Sequence, residues 1–334
     1  MKREGSALVL ALVTVVILSA LVMGFLFQVR LESELAGRYR FRMKAESIAR
    51  GGVEFANLML LKSQRPGLEP EEAWGEDFWI RLQNLNRGIG LSAWTREMQD
   101  GQFTISILPE SGRRNVNLLT QADWEEVLSS TGVPEQIHPE LIDCFLDWID
   151  GNDLTRLHGA ESDDPYYVSR GIRVRNAPVD TLDEMLLIKG FTRAILFGGT
   201  LQEFWNLPDV QVTGIAPLLT VFGDGRVNVN TASPAVLRTI PGITEEQIER
   251  LLLGRLGIDG EAGTELDGFR SPQEAVAFAG MNPAFAELFT TSDRQHLRIT
   301  VIGESGPARV AVWSIVEQQG NQLRTLFHRE EALP

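Results

Sequence analysis

Residues Ser6 to Val29 carry no charge, and no proline interrupts the chain before Pro66. Together these facts constrain the fold more than anything else in the sequence. An uncharged run of this length, wound as a helix rising about 1.5 Å per residue, reaches roughly 36 Å, enough to cross a hydrocarbon core of about 30 Å. Helical periodicity continues past Arg30, with Ala45, Ile48, Ala49, Phe55, Ala56 and Met59 recurring on one face until Gln64-Arg65-Pro66-Gly67 breaks it. The sequence therefore predicts one helix from Ser6 to about Lys62, roughly 85 Å long, with Gly51-Gly52 as its weakest point. Lys2 and Arg3 lie on the short side of the apolar run, which predicts a cytoplasmic N-terminus and an exported remainder.

The leader has the wrong shape for an ordinary secretory signal. Such a signal has a short apolar core followed by a small-residue cleavage site. Here the apolar run is long, and the small residue, Gly5, precedes it. Lys2-Arg3-Glu4-Gly5 followed by Ser6-Ala7-Leu8-Val9-Leu10 resembles the leader of a type IV prepilin or type II secretion pseudopilin. That resemblance implies cutting between Gly5 and Ser6 by a prepilin peptidase, with the helix retained in the inner membrane. Leu10 would become the fifth mature residue, where most members of the family carry an assembly glutamate. A plain uncleaved anchor fits the apolar run alone.

Composition narrows the function classes. The chain has 334 residues, long enough for more than one domain, with 31 Lys+Arg against 45 Asp+Glu and a net charge of −14. No basic footprint supports nucleic-acid binding, so no nucleic-acid partner is expected. Cys144 is the single cysteine and sits in an apolar pattern, which predicts a packed core thiol. The four histidines are scattered, and no His-Glu-x-x-His pair, Walker loop or nucleophile elbow occurs. The chain is not expected to be an enzyme.

Phe103 to Ile107 alternates as a half-buried strand does. Residues 296–301, 308–316 and 322–328 are β-rich, with Gly303/Gly306 and Gly320-Asn321 in the gaps, which predicts a three-stranded meander. The expected fold is α+β: a pilin-like long N-terminal helix on a small antiparallel sheet, with a large, mostly α-helical insertion. The expected organisation is a leader at 1–5, the membrane and pilin helix at 6–62, and the first part of a pilin domain at 63–111. Two helical units follow at 112–215 and 216–290, and the last strands at 291–334. The two units echo each other: Asn115-Val116-Asn117 and Asn228-Val229-Asn230 each end an extended piece before a helix. Capping boxes are predicted at Thr181/Glu184, Thr244/Gln247 and Ser271/Glu274.

Two segments carry candidate chemistry. Ile240-Pro241-Gly242-Ile243-Thr244 between helical patterns is similar to a helix-hairpin-helix (or SAM-like) module, whose DNA-binding versions hold a phosphate on backbone N–H groups. Glu245, Glu246 and Glu249 beside this hairpin would repel phosphate. The other segment is acidic. Asp143, Asp147 and Asp150 form one helical stripe, followed by Asn152, Asp153, Glu161, Asp163 and Asp164. On the residues alone, two readings stand: a solvated acidic loop, or oxygen ligands gathered for Ca²⁺, which takes six to eight oxygens. Paired carboxylates can also serve glycoside hydrolysis, but that chemistry needs only two.

Leu10, the large helical insertion, Asn228-Val229-Asn230-Thr231-Ala232-Ser233, Asp147-Trp148-Ile149-Asp150 and Asn176-Ala177-Pro178-Val179-Asp180 together resemble the K-type minor pseudopilins of type II secretion systems. The resemblance implies a subunit that caps and initiates a short pseudopilus, with I-type and J-type minor pseudopilins as partners and the bulk of the chain in the periplasm. It also implies bound calcium. The expected ligands are Asp150, Asp153, Glu161 and Asp164, with Asp147, Asn152 and Asp163 as a secondary set. Two other readings share part of the pattern: a competence or type IV minor pilin that touches DNA, and a membrane-anchored periplasmic hydrolase.

Overall fold

The computed structural model describes residues 4–63, 76–201, 205, 210–262, 264–292, 295–320 and 322–333. Met1 to Arg3 and the breaker cluster Gln64 to Gly67 lie outside these residues.

Helix α1 spans Glu4–Ser63 without interruption, as the absence of proline allows. Its two halves have different surroundings. From Val9 to Leu35 the apolar side chains are exposed, whereas Ala45, Ile48, Ala49, Val53, Ala56, Met59 and Leu60 are buried against a sheet. The helix is unbroken at Gly51-Gly52, and the second glycine has a packing role. A Cβ on Gly52 would lie 2.6 Å from the Val301 side chain, so its absence lets helix and sheet approach closely.

After α1 come α2 (Glu76–Asn86), β1 (Leu91–Met98) and β2 (Gly101–Pro109). The sequence reading does not contain β1. That strand lies at the sheet edge, only Leu91 on it is buried, and its register slips between Leu91 and Trp94, so it carries no alternation.

The chain then leaves the sheet for the insertion. Its first unit starts at β3 (Arg114–Asn115) and runs through α3 (Gln121–Ser130), α4 (His138–Ile149), α5 (Pro165–Arg170) and α6 (Arg193–Phe197). A small hairpin of β4 (Gly199–Leu201) and β5 (Val210–Val212) follows, and β6 (Leu219–Thr220) closes the unit by pairing parallel with β3. The second unit starts at β7 (Val227–Asn228) and runs through α7 (Pro234–Arg238), α8 (Glu245–Gly254) and α9 (Pro272–Ala279). It is closed in the same way, by β8 (Phe289–Thr290) parallel to β7. One continuous core, from Val116 to Phe289, serves both units; Trp124 stacks at a tilt on Phe145, 4.8 Å between ring centroids. Cys144 is fully buried in this core, and burial pushes its thiol up to about 12.

The echo between the units extends to individual hydrogen bonds. The Asn115 Oδ1 accepts from the Asn117 N–H at 3.0 Å, and the Asn228 Oδ1 from the Asn230 N–H at 2.9 Å. The Asn117 amide brackets Val179, donating to its carbonyl at 3.0 Å and accepting from its N–H at 2.8 Å. Asn230 does the same to Phe269, again at 3.0 and 2.8 Å. Shortly afterwards Glu184 accepts from the Asp180 N–H and Glu274 from the Arg270 N–H. An amide side chain that mimics a strand partner in this way joins the start of each unit to its middle. Thr244/Gln247 forms a complete capping box, and Ser271 caps α9 while Glu274 reaches past it. Thr181 makes no side-chain cap bond, and Glu184 serves the Asp180 N–H; Thr120/Asp123, not predicted, forms a complete box on α3.

The last strands are β9 (His296–Ser305), β10 (Ala308–Gln319) and β11 (Gln322–Leu333). They complete an antiparallel sheet in the order β1-β2-β9-β10-β11. Leu297, Ile299, Val301, Val312 and Val316 face α1 with Phe103, Ile105 and Ile107. Gly303 belongs to β9 rather than to the turn, which is made at Gly306 with φ +52°. A Cβ on Gly303 would lie 2.2 Å from the Ala45 carbonyl oxygen, so this glycine seats the helix.

Two polar seams tie the insertion to the sheet. Glu110, at the exit of β2, is 1% exposed; it accepts from Arg298 Nε on β9 at 2.5 Å and from Thr220 Oγ1 on β6 at 2.6 Å. Burial alone would raise its carboxyl, but Arg298, Arg113 and Thr220 outweigh burial and hold it below the usual range. At the second unit, Asn228 Nδ2 donates to the Gly88 carbonyl at 2.9 Å, and Arg87 donates to the Glu265 and Asp267 carbonyls.

Candidate functional site

The acidic segment occupies the connection from α4 to Val179, the counterpart in the first unit of the shorter connection from α8 to Phe269. Its geometry starts on α4. Asp147 lies in the last turn of the helix and is fully buried; Asp150 is the C-terminal cap. The chain then folds back over Asp147. The Arg156 N–H approaches its Oδ2 at 3.2 Å, and the Arg156 guanidinium donates to Asp147 Oδ1 at 2.7 Å and to Asp150 Oδ2. Gly159 makes the fold-back possible, since a Cβ there would fall 1.9 Å from Asp147 Oδ2.

The other predicted residues take three kinds of position. Asp150 Oδ1 accepts from Asn152 Nδ2 at 2.8 Å, and Asn152 Oδ1 from the Leu154 N–H at 2.9 Å, so these two shape the turn. Asp153 Oδ1 accepts from Asn176 Nδ2 at 2.8 Å, and Asp163 is exposed. Asp164 caps α5 through the Tyr166 N–H at 2.7 Å and binds Lys189 Nζ at 3.1 Å. Glu161 differs from all of these. It is 2% exposed, and among the described residues neither of its carboxylate oxygens has a hydrogen-bond partner. Burial, together with the charges of Asp147, Asp150, Asp153 and Asp163, pushes its carboxyl up to about 7.

Asp147, Asp150, Asp153, Glu161 and Asp163 therefore share one electrostatic neighbourhood, and Asp164 is committed to α5 and Lys189. Among the described residues, no three His, Cys, Asp or Glu side chains converge closely enough to hold a metal ion. Arg156, which bridges Asp147 and Asp150, is the local counter-charge. It was overlooked in the sequence, although it is the only Lys or Arg from Asp143 to Asp164. Hard carboxylate oxygens with one buried, unpartnered member are chemically suited to a calcium ion.

The N-terminal site is simpler. Gly5 and Ser6 lie in the first turns of α1, and Leu10 is 68% exposed in its apolar half. Among the described residues α1 is the one helix long and apolar enough to cross a membrane, and none of its most apolar stretch is buried.

Residues 101–197 match the family described as Type II secretion system (T2SS), protein K. Over 273 residues the chain is 23% identical to Type II secretion system protein K of Pseudomonas aeruginosa, spanning 76% of this chain and 72% of the relative. The fold is similar to a chain in the crystal structure of the GspK-GspI-GspJ complex from the enterotoxigenic Escherichia coli Type 2 Secretion System. That match has a TM-score of 0.52 at 15% identity and covers 91% of this chain and 99% of the other.

Proposed function

We propose that the chain is a protein K of a type II secretion system, the minor pseudopilin that initiates the pseudopilus and caps its tip. The observation that carries this reading is the division of α1. A helix with an exposed apolar half and a second half buried on its own sheet is built to pack with like helices in a membrane or filament core. Lys2 and Arg3 before the apolar run support a cytoplasmic N-terminus, with the sheet and insertion in the periplasm. Prepilin peptidase removes the leader after Gly5, leaving Leu10 where other subunits carry the assembly glutamate; a subunit with none above it has no use for that carboxylate. The named complex of the E. coli relative supports I-type and J-type minor pseudopilins as partners. The insertion's bulk would obstruct a subunit stacked above, which restricts the chain to the end. Its work is assembly, without covalent chemistry.

Calcium belongs to this proposal. Asp147, Asp150, Asp153 and Glu161 do not converge on one point in this structure and would have to draw together, with Asp147 and Asp150 released by Arg156, to hold the ion. Asp163 would lie at the rim and Asn152 shape the turn, and the ion would join acids that otherwise repel. The support is the unpartnered, buried Glu161 among four aspartates. Two experiments test the reading. Intact mass of membrane-extracted protein, made with and without prepilin peptidase, should show loss of Met1–Gly5 only with the peptidase. Co-expression with I-type and J-type subunits should recover one complex, lost when 112–290 is deleted. An uncut leader in both preparations, or undiminished secretion by the deletion, would defeat the tip assignment.

A further inference from the structure

At the seam between the first unit and the sheet lies a cavity of about 480 Å³. Its floor is the sheet face opposite α1, where Arg298, Trp313, Ile315 and Phe327 project from β9, β10 and β11; Phe222 and Arg113 close it from the insertion side. Small-molecule sites fall in this size range and combine apolar walls with a few placed polar groups. The walls here are aromatic, and Phe222 is held by stacking on His296, 5.0 Å between centroids.

The polar groups have one unbalanced member. Arg298 is matched by Glu110 at 2.5 Å, and Thr220 is spent on the same carboxylate. Arg113 shares the charge of Glu110 with Arg298 but is not bonded to it. Among the described residues its half-buried guanidinium makes no hydrogen bond or ion pair, and burial and the nearby Arg298 outweigh the attraction of Glu110 and disfavour its charge. Arg226, in the same register of the second unit, is in contrast exposed and bound to Asp224. The acids at the rim do not reach Arg113: Asp180 is taken by Arg175, Glu331 lies against Arg329, and Asp183 is exposed. Two guanidinium groups share the one Glu110 carboxylate, and the one that is not bonded to it, beside an aromatic cavity, is complementary to an anion with an apolar body.

We infer that this cavity binds an organic carboxylate with an aromatic or aliphatic body, the carboxylate meeting Arg113 and the body packing on Trp313, Phe222 and Phe327. A free acid and the C-terminus of a polypeptide ending in an apolar residue share this chemistry. The inference does not depend on the secretion role proposed above.

The test uses the full chain in lipid nanodiscs, with N-acetyl-L-phenylalanine as probe and its uncharged amide as control, followed by ligand-observed NMR. The acid should bind at least about tenfold more tightly than the amide, as one charge-assisted hydrogen bond implies. Arg113→Gln should remove that preference while leaving amide binding unchanged. Acetyl-Gly-Gly-Phe with a free C-terminus distinguishes the sources: tighter binding than the single residue assigns the site to chain ends, and equal binding to free acids. Equal affinity for acid and amide, or saturation by neither, would overturn the inference. That comparison is made on the unaltered protein and stands even if Arg113→Gln fails to fold.

Discussion

Glu161→Gln should make the calcium-free protein more stable at alkaline pH. In the folded chain the carboxyl titrates near 7 instead of its ordinary 4.5. Each tenfold change in proton affinity is worth about 1.4 kcal/mol, so ionising Glu161 in place costs the fold about 3 kcal/mol. The sign follows from proton binding. Between the unfolded and folded values the native state holds more protons than the unfolded state. Stability therefore falls as pH rises from about 4.5 and has lost the full amount above about 7. Glutamine keeps the shape and removes the charge. Urea unfolding in EDTA should find parent and variant alike near pH 4.5, with the variant ahead by about 3 kcal/mol near pH 8. Hydrogen exchange across 147–164 should localise the difference to this loop. Adding excess CaCl₂ should reverse the ranking, because a bound ion stabilises only the form that supplies the ligand. A variant no more stable than its parent in EDTA at pH 8 would refute the burial argument, and one that gains as much from calcium would refute the ligand assignment.

Three other predictions concern the frame. Glu110→Gln leaves Arg298 and Arg113 without their buried counter-charge and should cost about 3–5 kcal/mol by urea unfolding. The same carboxyl, held below its usual range, should make the parent's stability at this seam disappear as pH falls through that depressed value. Gly303→Val puts side-chain atoms where the Ala45 carbonyl lies and should cost about 1–3 kcal/mol or more in thermal unfolding. Asn117→Ala and Asn230→Ala orphan the N–H and carbonyl of Val179 and Phe269 respectively, and Asn230→Ala also gives up a long 3.5 Å bond to the Thr291 carbonyl. The two losses should be similar, about 2 kcal/mol each by the same assay, and a large inequality would show that the matched bonds are not energetically equivalent.

What the sequence revealed depended on periodicity and chain punctuation. Helix α1 was legible because a proline-free apolar run has one physical outcome, and β9 because Leu297, Ile299 and Val301 alternate with polar neighbours. Strand β1 was not legible, since an edge strand with one buried side chain and a bulge leaves no pattern. Gly303 was misread as punctuation because a glycine needed for close approach looks the same in sequence as one needed for a turn. The Asn-Val-Asn echo identified the units, but the partners of those amides, Val179 and Phe269, lie 62 and 39 residues away. The acidic loop was visible as composition. Which acid is stranded was not, because that depends on Arg156 reaching Asp147 and Asp150 while none of the described residues reaches Glu161.

Strands β2 and β9 are hydrogen-bonded neighbours, with Pro109 opposite Leu297. To the sheet, everything from Glu110 to Gln295 is therefore the turn of a hairpin. Closing a loop grows costlier only with the logarithm of its length, so so large a turn is thermodynamically tolerable. Kinetically it sets an order of events. The two strands cannot find their register efficiently while the chain between them is still a coil, whereas a folded insertion delivers its ends side by side at Glu110, Thr220 and Arg298. The central pairing of the sheet, and with it the seat for α1, should be the last part of the molecule to form.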